Sequence, residues 1–179
     1  VLTSAATYAT WMLMSRENLA WSLPLFLVTL FVHGTFSSFL GLGCPCHELC
    51  HKTPFKSKFW NEFFLKVYSF LSWTDYVGFR PSHVRHHQVT VHHDLDGEVV
   101  LPQTIDWKNW RLWIHAFGFN FLGAYYTIRD RVKDAITGKI SFPWTQVVIP
   151  ESNEKGRREH RSWIRTMVIG HILLAALFI

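Results

Sequence analysis

Long uncharged stretches are the first pattern in this chain. No Asp, Glu, Lys or Arg occurs in residues 18–47, and a helix that crosses a membrane needs roughly 20 mainly apolar residues. The pattern predicts a membrane span at residues 20–43, where Pro24 is tolerated because it falls in the first turn. Residues 1–15 and 166–179 are also uncharged. They predict the tail of an earlier span and the start of a further one.

A helical stripe of apolar side chains follows the predicted span. Residues 58–73 place aromatic and aliphatic side chains on one stripe, with Asn61, Glu62 and Lys66 off it. The pattern predicts an amphipathic helix that packs on the membrane or on other helices. The stripe consists of Phe59, Trp60, Phe63, Phe64, Val67, Phe70 and Leu71.

Polar segments predict turns and loops around another helix. Residues 76–81 are expected to form a turn, and the HVRHH segment at residues 83–87 is expected to follow as a helix. Residues 94–103 are expected to form a loop. Residues 136–156 are rich in Gly, Pro and polar side chains, and they predict a cytosolic loop.

Residues 112–128 are uncharged and leave two interpretations open. A crossing helix would place the basic residues of 129–165 on the opposite side of the membrane, against the positive-inside rule. The residues Trp107, Trp110, Trp113, Phe117 and Phe121 recur at helical spacing, as in a helix that lies in the membrane interface. The pattern favours the interfacial helix.

Composition indicates a membrane protein. Together with the predicted helices, it leads us to expect an all-α integral membrane protein with cytosolic and interfacial helices. Hydrophobic residues make up 49% of the chain, aromatic residues 16% and charged residues 17%. Such a chain is too apolar and too aromatic for intrinsic disorder. Because the sequence begins at Val1 and ends within an apolar stretch at Ile179, it is expected to be a fragment.

The positive charges predict the orientation. The net charge is +5, and all of the 18 Lys and Arg residues except Arg16 lie between Lys52 and Arg165. By the positive-inside rule this region, about residues 44–165, is cytosolic or interfacial. The cations are scattered among Trp and Phe and follow the predicted span boundaries, so anionic lipid headgroups are favoured as partners and nucleic acid is not.

Three cysteines lie close together at the end of the predicted span. Cys44, Cys46 and Cys50 have neighbouring histidines and could in principle bind zinc or an iron–sulfur cluster. Their spacing fits no standard site of either kind. Buried small thiols are the simpler interpretation, and no disulfide is expected in a reducing compartment.

Five histidines in two tight groups carry the candidate chemistry. His47 and His51 stand four residues apart in HELCH, and His83, His86 and His87 follow the i, i+3, i+4 pattern in HVRHH. These spacings bring imidazoles to one face of a helix, and imidazole binds iron, copper, zinc and nickel. Two such helices predict a metal centre at a membrane surface. The alternative is five surface or hydrogen-bonded core histidines.

Further residues are candidates for the positions behind the metal ligands. Acids that accept a hydrogen bond from a ligating imidazole fix its orientation, and Asp94 is the strongest such candidate. For each of these acids the alternative is a solvated surface residue. His33 lies in mid-span, about 20 Å of helix away from His47, and is expected to bond a neighbouring helix. The other candidates are Glu48, Asp75, Asp96, His92 and His93.

The HELCH and RPSHVRHHQVTVHHD segments resemble the membrane fatty-acid desaturase family over roughly residues 20–179. The resemblance implies a non-haem di-iron centre held by three histidine boxes, HxxxH, HxxHH and a later HxxHH, on a four-helix membrane scaffold with a cytosolic cap. The first two boxes map onto His47, His51, His83, His86 and His87. A third box is absent, so residues 1–179 are expected to be a partial, inactive desaturase domain.

The resemblance also implies the activity. It implies an O2-dependent desaturase that introduces a double bond into a fatty-acyl lipid or carrier-bound acyl chain, with two iron ions as cofactor. Electrons would come from a donor such as cytochrome b5 or a ferredoxin. The enzyme would be an integral membrane protein with its histidine boxes on the cytosolic face.

Two alternatives from other reaction or protein classes remain. A hydroxylase, alkane monooxygenase or carotenoid ketolase would use the same centre for oxygen insertion, and HELCHK is reminiscent of alkane hydroxylases, although HVRHH has the spacing usual in desaturases. A metal-binding or transport protein of the membrane would place its ligands near mid-bilayer. There only His33 is found.

Overall fold

The computed structural model describes residues 2–15, 17–39, 45–90, 92, 95–98, 106–117 and 121–177. In these residues the regular structure is entirely helical, which confirms the all-α part of the predicted fold class. The chain divides after Thr74 into two compact units, residues 1–74 and 75–179.

The first unit begins with a pair of helices, α1 (Leu2–Met12) and α2 (Leu19–Ser38). Asn18 organises the turn between them, because its side chain accepts a hydrogen bond from the Ser15 backbone and donates one to the Leu13 carbonyl. Polar side chains join the two helices. The hydroxyls of Thr10 and Thr29 lie 2.9 Å apart.

His33 belongs to this polar contact between α1 and α2. Its Nδ1 lies 3.1 Å from the Thr3 hydroxyl, and the Thr7 hydroxyl donates to the Thr29 carbonyl over 3.1 Å. The expectation that His33 bonds a neighbouring helix is confirmed. His33 is therefore accounted for without a metal.

The segment Leu19–Ser37 of α2 is long and apolar enough to cross a membrane, with a mean hydropathy of 1.6. Within the described residues, no other helix meets the same criteria of length and composition. The predicted tail of an earlier span, residues 1–15, contains α1, which has 11 residues. The predicted start of a further span, residues 166–179, overlaps the end of α9 (Glu154–Ala176). The first half of α9 is charged and begins well before residue 166.

The second pair of helices in this unit consists of α3 (Pro45–His51) and α4 (Lys58–Leu71). The predicted amphipathic helix at residues 58–73 is thus present as α4. Its buried positions are Asn61, Leu65 and Ser69, spaced four apart on one face. The aromatic stripe lies largely on the other face, where Phe59 is 66% exposed.

The second unit contains α5 (Tyr76–Val89), α6 (Trp110–Phe117), α7 (Phe121–Thr137), α8 (Pro143–Val148) and α9. Helix α5 packs on α8 and α9, and α7 packs on α9. Ile149, Ile164 and Met167 form the fully buried apolar centre. At the end of α7, Gly138 has a φ of 70°, a left-handed conformation that favours glycine.

Two predicted irregular segments are helical in the structure. The turn expected at residues 76–81 is the start of α5, which continues through Pro81. Proline costs the helix one backbone hydrogen bond, and the packing of α5 on α8 and α9 outweighs that local preference. The loop expected at residues 136–156 contains α8, which is too short to show a helical period.

Candidate metal centre

The first histidine pair, His47 and His51, lies on one face of α3. The ring centroids are 5.0 Å apart in an edge-to-face arrangement, and one nitrogen from each ring lies within 4.8 Å of the other. Cys46, Leu49 and Cys50 occupy the opposite, buried face of the helix. Burial of these three side chains therefore turns both imidazoles outward.

Glu48 accepts a hydrogen bond from the first histidine of this pair. Its Oε1 lies 2.8 Å from His47 Nδ1, and this bond lowers the pKa of the Glu48 carboxyl below its ordinary value. A carboxylate accepts hydrogen bonds and cannot donate them, so Nδ1 carries the proton. Nε2 is then the nitrogen of His47 suited to coordinate a metal.

The second histidine group, His83, His86 and His87, lies on α5. The Nε2 atoms of His83 and His87 are 3.0 Å apart. Two imidazole nitrogens are about 3.0 Å apart when each lies about 2.1 Å from the same metal ion and the nitrogen–metal–nitrogen angle is a right angle. The separation therefore fits a single metal ion. His86 lies beside this pair, with its ring centroid 5.7 Å from that of His87.

Two acids stand behind this group, the buried Asp96 and the less enclosed Glu98, in the segment of residues 95–98 that we call the acid loop. Glu98 Oε1 accepts from His83 Nδ1 over 2.7 Å, and Asp96 Oδ2 accepts from His86 Nδ1 over 2.8 Å. The side chain of Asp96 is fully buried. In both pairs the acid holds Nδ1 and leaves Nε2 as the coordinating nitrogen.

Glu98 was not among the acids expected from the sequence. Asp96 is one of the acids that the sequence offers for a position behind the metal ligands. The strongest candidate, Asp94, lies outside the described residues, as does His93. His92 is exposed, and its backbone carbonyl accepts from the amides of Leu95 and Asp96. It contributes to the shape of the acid loop through its backbone.

Asp75 forms its ion pairs with Arg131 and His160. Its Oδ2 lies 3.5 Å from Arg131 Nη1 on α7 and 3.0 Å from His160 Nδ1 on α9. The His160 contact is within ion-pair range without the alignment of a hydrogen bond. Burial alone raises the pKa of an Asp carboxyl. His160 and Arg131 outweigh burial and hold the pKa of Asp75 below its ordinary value.

The cysteines support the simpler of their two interpretations. Cys46 and Cys50 are buried on the core face of α3, and burial raises the pKa of the Cys46 thiol. A protonated thiol is a poor metal ligand, because metals bind the thiolate. Cys44 lies outside the described residues.

The donor set narrows what the histidines can hold. His47 in the first group and His83 and His86 in the second each have an Nδ1 atom that is hydrogen-bonded to a carboxylate. Imidazole ligands suit iron, copper, zinc and nickel rather than magnesium or calcium. A nitrogen-rich transition-metal site is therefore the chemistry that fits these residues.

Comparison with known proteins gives the family. The family model described as "Fatty acid desaturase" matches residues 19–179, a span that contains both histidine groups. Searches of curated proteins and of solved structures returned no match. Because the family model covers most of the chain, this protein belongs to the fatty acid desaturase family.

Proposed function

We propose that this protein is an O2-dependent fatty-acyl desaturase with a histidine-ligated di-iron centre. The family match over residues 19–179 carries the proposal. The proposed iron ligands are His47, His51, His83, His86 and His87. Hydrogen bonds from His47, His83 and His86 to carboxylates support these roles, because such bonds fix a ligating imidazole in one tautomer and orientation.

The overall reaction converts a –CH2–CH2– unit of an acyl chain into –CH=CH–. One O2 is reduced to two waters, which takes the two hydrogens removed from the chain together with two further electrons and two protons. Iron, when bound, supplies the O2 chemistry that removes hydrogen from an unactivated C–H bond. The electrons require a one-electron donor protein, and cytochrome b5 or a ferredoxin is the proposed class.

The protein side chains have three tasks in this proposal. The imidazole Nε2 atoms bind the metal, and the acids Glu48, Asp96 and Glu98 keep a proton on the Nδ1 atom of each partner histidine. Burial of Asp96 and of His83 keeps bulk water from competing for those hydrogen bonds. The acids therefore raise the basicity of the ligands and limit the motion of their rings.

We further propose that the protein is anchored in a membrane through α2, with both histidine groups on the cytosolic face. The hydropathy of Leu19–Ser37 supports a membrane helix. The positive charges of residues 52–165 support the orientation. Aromatic side chains on the exposed face of α4, such as Phe59 and Trp60, suit contact with lipid at the membrane surface.

Product analysis tests the reaction. The full-length protein is reconstituted with iron, acyl substrate, O2 and a reducing system, and the masses of the products are measured by mass spectrometry. A desaturase product is lighter than the substrate by two hydrogens, whereas a hydroxylase or monooxygenase product is heavier by one oxygen. The second result would reject desaturation and support the oxygen-inserting alternative.

Ligand variants test the metal assignment in the same preparation. His86→Ala and His83→Ala are expected to lower both the bound iron and the product yield. His171→Ala is the matched control, because its Nδ1 is within hydrogen-bond distance of the Met167 carbonyl, outside both histidine groups. An iron-free wild-type protein with full activity would contradict the assignment.

A further inference from the structure

Trp144 of α8 contacts both elements that support the second histidine group. Its indole Nε1 donates a hydrogen bond to Ser82 Oγ on α5 over 2.8 Å, and the Arg85 guanidinium lies 5.3 Å from the ring centroid. On the acid loop, a Cβ added to Gly97 would come within 2.3 Å of ring carbons Cδ2 and Cε3. Glycine therefore allows the loop backbone to lie against the indole.

A continuous chain of hydrogen bonds connects this indole to a proposed metal ligand. Ser82 Oγ, which accepts from Trp144, donates to Glu98 Oε2 over 2.5 Å. The other carboxylate oxygen of Glu98 accepts from His83 Nδ1 over 2.7 Å. The three bonds join α8, α5 and the acid loop within the second unit.

The direction of each bond is fixed by the chemistry of the groups. An indole N–H is a donor only, so it occupies an acceptor position of Ser82 and leaves the hydroxyl hydrogen for Glu98. A carboxylate is an acceptor only, so the remaining partner, His83 Nδ1, carries its proton. The Nε2 atom of His83 is then the one with a lone pair for a metal.

We infer that Trp144 is a positioning residue for the metal ligand His83, acting through Ser82 and Glu98. The inference rests on the proposed function, because it assigns His83 as a ligand. Trp144 has two roles: its N–H sets the direction of the hydrogen bonds, and its ring holds the acid loop at Gly97. Neither role requires contact with the metal or the substrate.

The surroundings keep this chain of bonds intact. Ser82 and His83 are about 95% buried, and the Glu98 side chain is 15% exposed. Water therefore has little access to replace a missing partner, and a buried polar group left without one is destabilised. A substitution of Trp144 should therefore alter the hydrogen bonding of His83.

The first test measures cobalt(II) affinity of the protein by competition with a chromophoric chelator. Trp144→Phe keeps an aromatic ring and removes the N–H, and we expect about three- to tenfold weaker binding, the factor for one lost hydrogen bond. Glu98→Gln should weaken binding about 10- to 100-fold. Trp107→Phe is the matched control, because that side chain is 65% exposed and in the same unit. It should leave the affinity unchanged.

A double-mutant comparison distinguishes an effect through the chain of hydrogen bonds from a general loss of packing. Ser82→Ala and Trp144→Phe interrupt the same chain of bonds, so the double variant should bind cobalt(II) no more weakly than the weaker-binding single variant. If the two substitutions weakened cobalt(II) binding by factors that multiply in the double variant, this result would overturn the inference. So would a Trp144→Phe protein that is less stable to heat but binds cobalt(II) as tightly as the wild type.

A spectroscopic readout follows the proton itself. In zinc-loaded protein with 15N-labelled histidine, the Nδ1–H resonance of His83 should be shifted downfield by its bond to Glu98 and should move in Trp144→Phe but not in Trp107→Phe. An unchanged resonance in Trp144→Phe would reject the inference. These measurements need no turnover, so if this chain of hydrogen bonds were present in a full-length protein that forms no double bond, the proposed function alone would be rejected. A wild-type protein that binds neither cobalt(II) nor zinc would reject both.

Discussion

The two histidine groups have the same ligand chemistry but different support. In the first unit, His47 and its partner Glu48 are adjacent in sequence, and their side chains are 32% and 48% exposed. In the second unit, His83 and Glu98 are fifteen residues apart, and their side chains are 5% and 15% exposed. Exposed ion pairs contribute little to stability, whereas a buried hydrogen bond to a charged group is strong and costly to break. The second group is therefore expected to be the more sensitive to substitution.

The helices that carry the two groups are also anchored differently. Helix α3 is held by the burial of Cys46 and Leu49, and the Cys46 thiol lies 3.4 Å from the Ser69 hydroxyl on α4. Helix α5 is held at its first turn by Asp75, a buried carboxylate that contacts Arg131 and His160. A charged anchor is stable only while each partner is present. Helix α5 thus has a charged contact next to its first turn, whereas α3 relies on the burial of Cys46 and Leu49.

The largest expected effect comes from breaking the charged anchor. Asp75→Asn removes the negative charge beside the buried His160 and beside Arg131, whose side chain is 18% exposed. We expect a loss of about 3–5 kcal/mol in the free energy of unfolding. Chemical denaturation followed by circular dichroism measures this loss. A loss below about 1 kcal/mol, the size of an exposed ion pair, would show that the anchor contributes little.

The second effect concerns the buried acid of the second histidine group. Asp96→Asn removes the charge that His86 Nδ1 faces, and the affinity for iron is expected to fall about 10- to 100-fold. Anaerobic iron(II) titration with a competing chelator measures it. An unchanged affinity would remove His86 from the proposed ligands or Asp96 from its support.

The third effect is a dependence on acid pH. The pKa of Asp75 is lower in the folded protein than its ordinary value, so its contribution to stability is complete above about pH 4. It is lost as the pH falls through the lowered pKa. Wild type should lose stability more steeply below about pH 4 than Asp75→Asn, by at most about 1.4 kcal/mol per pH unit. Parallel pH profiles of the two proteins would contradict this expectation.

The smallest effect is expected at the exposed acid of the first pair. Glu48→Gln should change the iron affinity by less than about threefold, because solvent screens the bond between Glu48 and His47. The measurement is the titration used for Asp96→Asn. If Glu48→Gln matched Asp96→Asn in size, burial would not be what distinguishes the two groups.

Patterns repeated along the chain were predictable from the sequence. The spacing of the five histidines, the apolar segment of α2 and the amphipathic α4 each extend over at least one helical turn, and local periodicity is enough to recognise them. The sequence was also sufficient to predict the bond of His33 to a neighbouring helix, because a polar residue inside an apolar helix needs a partner.

Features that depend on contacts between distant residues were not predictable. Proline at position 81 indicated a turn, yet the packing of α5 on α8 and α9 keeps the segment helical. Glu98 was missed because only the folded acid loop brings its carboxylate to His83. Asp75 was expected behind the metal ligands, but its charge is used by Arg131 and His160.

The threonine contacts between α1 and α2 limit how these two helices can move. Thr3, Thr7 and Thr10 each meet a partner on α2, at His33 or Thr29. A slip of one helix along the other by a single turn, about 5.4 Å, would separate all three pairs together. In the membrane proposed for α2, the hydrocarbon would hold no water to replace the lost partners. The two helices should therefore tilt and translate as one rigid hairpin, with no sliding between them.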